Sequence, residues 1–71
     1  MTPNIPDIET RFTYHPPKEG QPAKYEQLRE TAKAFAYLIE LFCSDSRERS
    51  LALTKLEEAV MWCNAAISRN E

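Results

Sequence analysis

The chain has one glycine and one histidine among its 71 residues, two cysteines, and no long apolar run. Each scarcity closes off a kind of protein. With a single glycine there is no GxGxxG, no phosphate loop of the Walker type and no GxSxG elbow, and HExxH is missing too. One histidine, His15, and two cysteines without a CxxC are too few for an ordinary four-ligand zinc site in one chain. No stretch approaches the ~18 consecutive apolar residues that would span a bilayer. The opening MTPNIPDIETRF has neither the basic nor the apolar region of a secretory signal, so a reducing cytoplasm is the expected location. There is no basic excess either. A formal charge of -2 argues against a protein that coats DNA or RNA, while leaving room for a local cationic pocket. Neither cysteine has a reason to be activated, since each falls within an apolar helix pattern, and the carboxylates lie on helix faces among basic neighbours. The expectation is a binding protein, not an enzyme, with no metal or cofactor.

What the chain does have is an ordinary globular balance, 42% apolar and 28% charged, in one short domain spanning residues 1–71. Its centre of interest is RFTYHPPKEGQPAKYEQLR, from Arg11 to Arg29. Pro16 and Pro17 each lack an amide donor and push the preceding residue toward extended geometry, so this begins as an arm that cannot be helical. Gly20 breaks the chain again, and Pro22 suits the first turn of a helix. Residues 1–21 are therefore expected as an arm. Asn4 or Pro6 opens at most one helical turn through Ile8, and Phe12 and Tyr14 share one side of an extended piece.

Residues 22–43 read as a first long helix. Tyr25, Leu28, Ala32, Phe35, Ile39 and Phe42 recur at heptad spacing. Glu26 and Glu30 stand within about a turn of Arg29 and Lys33. The SDS at 44–46 is a break. There Asp45 with Glu48 makes a capping-box-like pattern, although Ser44 or Ser46 serves as well. Residues 46–69 read as a second long helix, with Leu53, Leu56, Val60, Cys63 and Ile67 in register. So short a connection makes the two helices antiparallel neighbours. The fold class is all-α: an arm and a long helical hairpin. Cys43 at the turn and Cys63 about 18 residues along the second helix lie roughly 25 Å apart, beyond the ~7 Å reach of a disulfide. They are expected as free, partly buried thiols.

A two-helix hairpin has one seam. Tyr37, Leu38, Leu41, Leu51, Met61 and Trp62 cannot all point into it, and two helices bury too little area to offset the ordering of the chain. The surplus apolar surface predicts an interface: a homo-oligomer of stacked hairpins, or a hairpin bound to a different protein.

Rings beside cations suit a base and its phosphate. Phe12, Tyr14 and His15 on the arm, followed by Lys18, Lys24 and Arg29, form one such group. The alternative is that the rings fold back as a staple onto the helices. A second polar group is Thr31 with Asn64, Ser68, Arg69 and Asn70, although Arg69 also suits the negative end of its helix.

The segments FTYHPPK and SRERSLALTKLEEAVMWCNAAISRN resemble the phage anti-CBASS (Acb2) family, and the similarity runs over roughly residues 11–71. Arg49, Cys63 and Ser68 depart from the family text. The resemblance implies a compact helical hexamer, made in the cytoplasm of an infected bacterium, that sequesters cyclic oligonucleotide messengers of host immunity without cleaving them. Cyclic dinucleotides would sit between protomers, with Tyr14 stacking on a base and Arg29 meeting a phosphate. Cyclic trinucleotides would occupy separate pockets that use Thr31 and Arg69, with Asn70 beside them.

Overall fold

The computed structural model describes residues 5–71, and the side chains of 8–71. Three helices follow one another: α1 (Ile5–Phe12), α2 (Gln21–Phe42) and α3 (Arg47–Asn70). The all-α hairpin read from the sequence is there. α2 and α3 run antiparallel and pack along their length, and they are the principal contact between elements. At 22 and 24 residues they are about 33 and 36 Å long.

The arm differs from expectation. The expected turn through Ile8 is a helix that continues to Phe12. The irregular stretch therefore covers only residues 13–20, and Phe12 lies on a helix, not on an extended strand beside Tyr14. A local reason is visible after the helix end. The His15 ring Nε2 sits 2.8 Å from the carbonyl of Thr10, and the Thr13 hydroxyl donates to Glu9 at 3.3 Å. The first of these meets a carbonyl that the end of α1 would otherwise leave open, and the second fastens the chain just beyond the helix to its last turns. The expected start at Asn4 lies outside the described residues.

α2 begins where Gly20 and Pro22 place it. Gly20 has φ 85, in the left-handed region that glycine enters without a side-chain penalty, and Pro22 follows in the first turn. Gln21 is the best-buried polar residue, only 3% exposed. Its side-chain oxygen accepts from the Lys18 amide at 2.9 Å, and its Nε2 donates to the Ile67 carbonyl at 3.3 Å.

The break between the helices is capped by the second choice, not the first. Ser46 is the N-cap of α3, and its hydroxyl accepts from the Arg49 amide at 3.1 Å. Asp45 instead pairs with the Arg49 guanidinium at 3.2 Å. That guanidinium also donates to the Cys43 carbonyl at 3.3 Å, so one arginine gathers the loop from above while the serine closes the helix from below.

The seam is narrower than a strict heptad reading. Tyr25, Leu28, Ala32 and Ile39 face it from α2, and Leu53, Leu56, Val60 and Ile67 from α3, all at least half-buried. Ala36 takes the place expected of Phe35, which is 54% exposed, and Phe42 is also exposed. On α3 the half-buried Asn64 replaces Cys63. A straight helix of 3.6 residues per turn drifts by about 20° per heptad, which is enough to move the seam onto the next residue. Both cysteines are consequently exposed, not partly buried.

The resulting hairpin is thin. Its extents are 45 × 34 × 13 Å, and the smallest is close to the ~10–12 Å width of a single helix. The radius of gyration is 15.7 Å, whereas a compact chain of this length would have about 11 Å. Among the described residues Ile39 is the only buried hydrophobic side chain. Tyr37, Leu41, Phe42, Met61 and Trp62 are each more than 60% exposed. No helix among the described residues is long and apolar enough to cross a membrane.

Candidate functional site

The residues selected from the sequence fall into three places on the hairpin. Arg29, one-third of the way along α2, stands over the seam. It lines a cleft of about 430 Å³ with Tyr25, Asn64, Ala65 and Ser68. On the other flank it closes an apolar groove of about 460 Å³ whose floor is Ala32, Ala36, Leu56 and Val60. Lys24 and Thr31 share a third cleft, of about 330 Å³, with Gln27, Leu28 and Ile67. Arg69 lies elsewhere, in a cleft with Arg11, Phe12 and Trp62.

Some expected groupings are thus divided within the chain. Tyr14 is 79% exposed on the arm, and neither of the clefts lined by Arg29 includes it. Thr31 and Arg69 open onto different clefts. His15 is turned back to the Thr10 carbonyl, and Asn70 donates its side-chain amide to the Ala66 carbonyl at 3.0 Å. Both therefore serve helix ends here. Phe12, 84% exposed, joins Arg69 and not Lys24.

Charge pairing sorts the cations. Lys24 is in an ion pair with Glu71, and the Lys18 ammonium donates to the Glu71 backbone oxygen. Arg49 is held by Asp45, and Lys55 by Glu58. Among the described residues, no ion pair or hydrogen bond engages the guanidinium of Arg29 or Arg69. Two arginines thus stand over clefts with their full donor forks available, and a guanidinium fork matches a phosphate edge in geometry as well as charge.

Asn64 adds a polar atom to the Arg29 cleft. Its side-chain Oδ1 is buried without a hydrogen-bond partner, a costly state that a donor entering the cleft would relieve. Sequence reasoning set Asn64 beside Thr31 and the end of α3, and the fold places it opposite Arg29. Two residues have structural roles that the sequence reading does not foresee, Gln21 and Arg49. Gln21 carried no signal, because a glutamine before proline is unremarkable. Arg49 was legible only as the position three beyond a capping serine. Among the described residues no group of three or more His, Cys, Asp and Glu side chains could hold a metal ion.

The fold is a long helical hairpin preceded by an arm that bears an exposed ring, with two arginines over its clefts that no ion pair or hydrogen bond among the described residues engages. The model of the Acb2/Tad1 hairpin domain matches residues 4–68, and the chain belongs to that family. Membership supports a phage anti-CBASS role and the binding of cyclic nucleotides in general terms. No curated protein and no solved structure matches the chain.

Proposed function

We propose that this protein is a sponge for cyclic oligonucleotide messengers of bacterial immunity. It sequesters them intact, and so keeps them from the effectors they would activate, in the cytoplasm of a phage-infected host. In this reading cyclic dinucleotides are held where Tyr14 of one copy meets Arg29 of another, with Phe12, His15 and Lys24 nearby. Cyclic trinucleotides take separate pockets that use Thr31, Arg69 and Asn70. The working form is a homo-oligomer, a hexamer as the family resemblance implies, and neither DNA, RNA nor a membrane is a partner.

The observation that carries the reading is the unengaged guanidinium of Arg29 above a cleft, in a chain whose Tyr14 ring is almost bare. A planar anion needs a stacking face and a charge-assisted donor, and this chain leaves both unspent. The separation of Tyr14 from the Arg29 clefts, and of Thr31 from Arg69, supports sites completed between copies. The thin, apolar-faced subunit supports the assembly itself.

A second reading is a helical module that docks on a host protein, and the exposed Tyr37, Leu41 and Phe42 at the hairpin tip favour it. One experiment separates the readings. The protein is incubated with mixed cyclic di- and trinucleotides, freed of unbound material and denatured, and the released ligand is identified by mass. Recovery of intact cyclic ligand supports the sponge. Cleaved products indicate an enzyme, and an empty protein indicates the docking module.

A further inference from the structure

Across the seam from Arg29, Asn64 lines the same cleft of about 430 Å³, with Tyr25, Ala65 and Ser68. The polar side chains there differ in what they still need. The Ser68 hydroxyl already donates to the Ala65 carbonyl at 3.3 Å. The Arg29 guanidinium has donors and nothing to accept with, so it calls for an anion. Asn64 Oδ1 is a buried acceptor without a hydrogen-bond partner, so it calls for a donor. No bond holds that oxygen where it is, and the terminal torsion of asparagine is broad, so it can turn toward an entering group. A ligand suited to this cleft carries an anion and a donor side by side. The volume lies in the lower part of the ~300–1,000 Å³ range of small-molecule sites, room for one nucleotide unit and its linkage.

In a cyclic dinucleotide the donor nearest each phosphodiester is a ribose hydroxyl, on the carbon next to the esterified one. It is the 2′-hydroxyl in a 3′–5′ linkage and the 3′-hydroxyl in a 2′–5′ linkage. The donors of the base lie on the far side of the sugar, where Tyr14 of another copy takes the ring. We propose that Asn64 is a specificity-determining residue, which accepts from this ribose hydroxyl while Arg29 holds the phosphate beside it. The proposal rests on the cyclic-dinucleotide reading and names what that site selects: a ribose phosphodiester, whatever the base. The 2′-hydroxyl is the group that lets a protein tell ribose from deoxyribose. A buried acceptor left unpaired by the wrong ligand turns that difference into affinity. Small deoxyribonucleotide fragments carry the phosphate without the hydroxyl, and Asn64 ranks them below the messenger.

The test uses 3′–5′-linked cyclic di-AMP, cyclic di-GMP and cyclic GMP–AMP, each as the ribose form and with both 2′-hydroxyls replaced by fluorine. Fluorine keeps the pucker of ribose and cannot donate. Calorimetry measures both forms on the full-length wild type, on Asn64→Ala and on Asn64→Leu, which fills the same volume. The wild type is expected to bind the ribose form about tenfold more tightly than the fluoro form, the scale of one buried acceptor left unpaired. The variants should bind the two forms alike, through loss of affinity for the ribose form alone. Far-ultraviolet circular dichroism checks that both variants keep their helices, and the comparison of ligands on the wild type needs no variant at all.

If the wild type binds the ribose and fluoro forms equally well, the role given to Asn64 is wrong and the proposed function survives. A preference for ribose that persists in a folded Asn64 variant would assign the reading to another residue, and it too overturns the inference. If the wild type binds none of the ribose ligands, the cyclic-dinucleotide reading falls and this inference with it.

Discussion

The side chain of Gln21 reaches across the hairpin to the carbonyl of Ile67, joining the first turn of α2 to the last turns of α3 at 3.3 Å. The same amide holds the Lys18 backbone at 2.9 Å, so one buried residue ties the arm to both helices. Replacing it with leucine keeps the volume and leaves two backbone groups without their partner. Gln21→Leu is expected to lower unfolding free energy by about 1–3 kcal/mol. Urea denaturation followed by circular dichroism reads this, and an unchanged midpoint would show that the tie contributes nothing.

The loop makes a sharper distinction. Ser46→Ala removes the hydroxyl that caps α3 and should cost about 1 kcal/mol. Asp45→Ala removes a carboxylate that is 91% exposed, and should cost less than about 0.5 kcal/mol. The order of the two melting temperatures checks which residue caps the helix.

For the proposed messenger site, Tyr14→Ala and Arg29→Ala should each abolish the rise in melting temperature that cyclic dinucleotide gives the wild type. The oligomer should remain intact in sedimentation. Arg29→Lys should retain part of the shift, because the charge survives and the planar fork does not. Wild-type affinity in Tyr14→Ala would remove the arm from the site.

Glu71 competes with any anion for Lys24 and Lys18. Glu71→Gln removes the carboxylate from Lys24 and is expected to tighten binding of an anionic ligand at that cleft about two- to fivefold at low salt. The gain should shrink as salt rises, because exposed charges are screened over about 10 Å at 0.1 M. Calorimetry at two salt concentrations is the check, and equal affinity with and without Glu71 would mean that Lys24 is not a ligand.

Leu41 is 74% exposed at the hairpin tip. In a subunit that stands alone, Leu41→Asp would be nearly silent. In an assembly that buries this face it should split the oligomer, which analytical ultracentrifugation resolves directly.

The hairpin was legible because its pattern is redundant. Leu28, Ala32, Ile39, Leu53, Leu56, Val60 and Ile67 all mark the same seam, and no glycine or proline lies within α3. What failed was local. Phe35 and Cys63 lost their seam places to Ala36 and Asn64, because a heptad template fixes phase at 3.5 residues while a straight helix turns in 3.6. α1 runs a turn further than the prolines on either side of it imply, and the His15 ring that meets the Thr10 carbonyl after its end has no periodic signal in the sequence. Asp45 with Glu48 matches a capping-box pattern, and cap propensity alone does not separate it from Ser46; in the fold Ser46 is the cap, and Asp45 pairs with the Arg49 guanidinium. For the site, residue types were legible and groupings were not. Chemistry pointed to Tyr14, Arg29 and Arg69, but which ring shares a cleft with which cation depends on how α1 folds against α3. That is a tertiary fact with no periodicity to betray it.

A subunit one helix thick, with Ile39 as its single enclosed apolar side chain among those described, leaves little inside to melt. Where its broad faces close on further copies, folding and assembly become one reaction, and dilution acts as a denaturant. Its melting temperature should then climb with protein concentration. A messenger wedged between neighbours would act as mortar, so each molecule captured would make the trap harder to take apart.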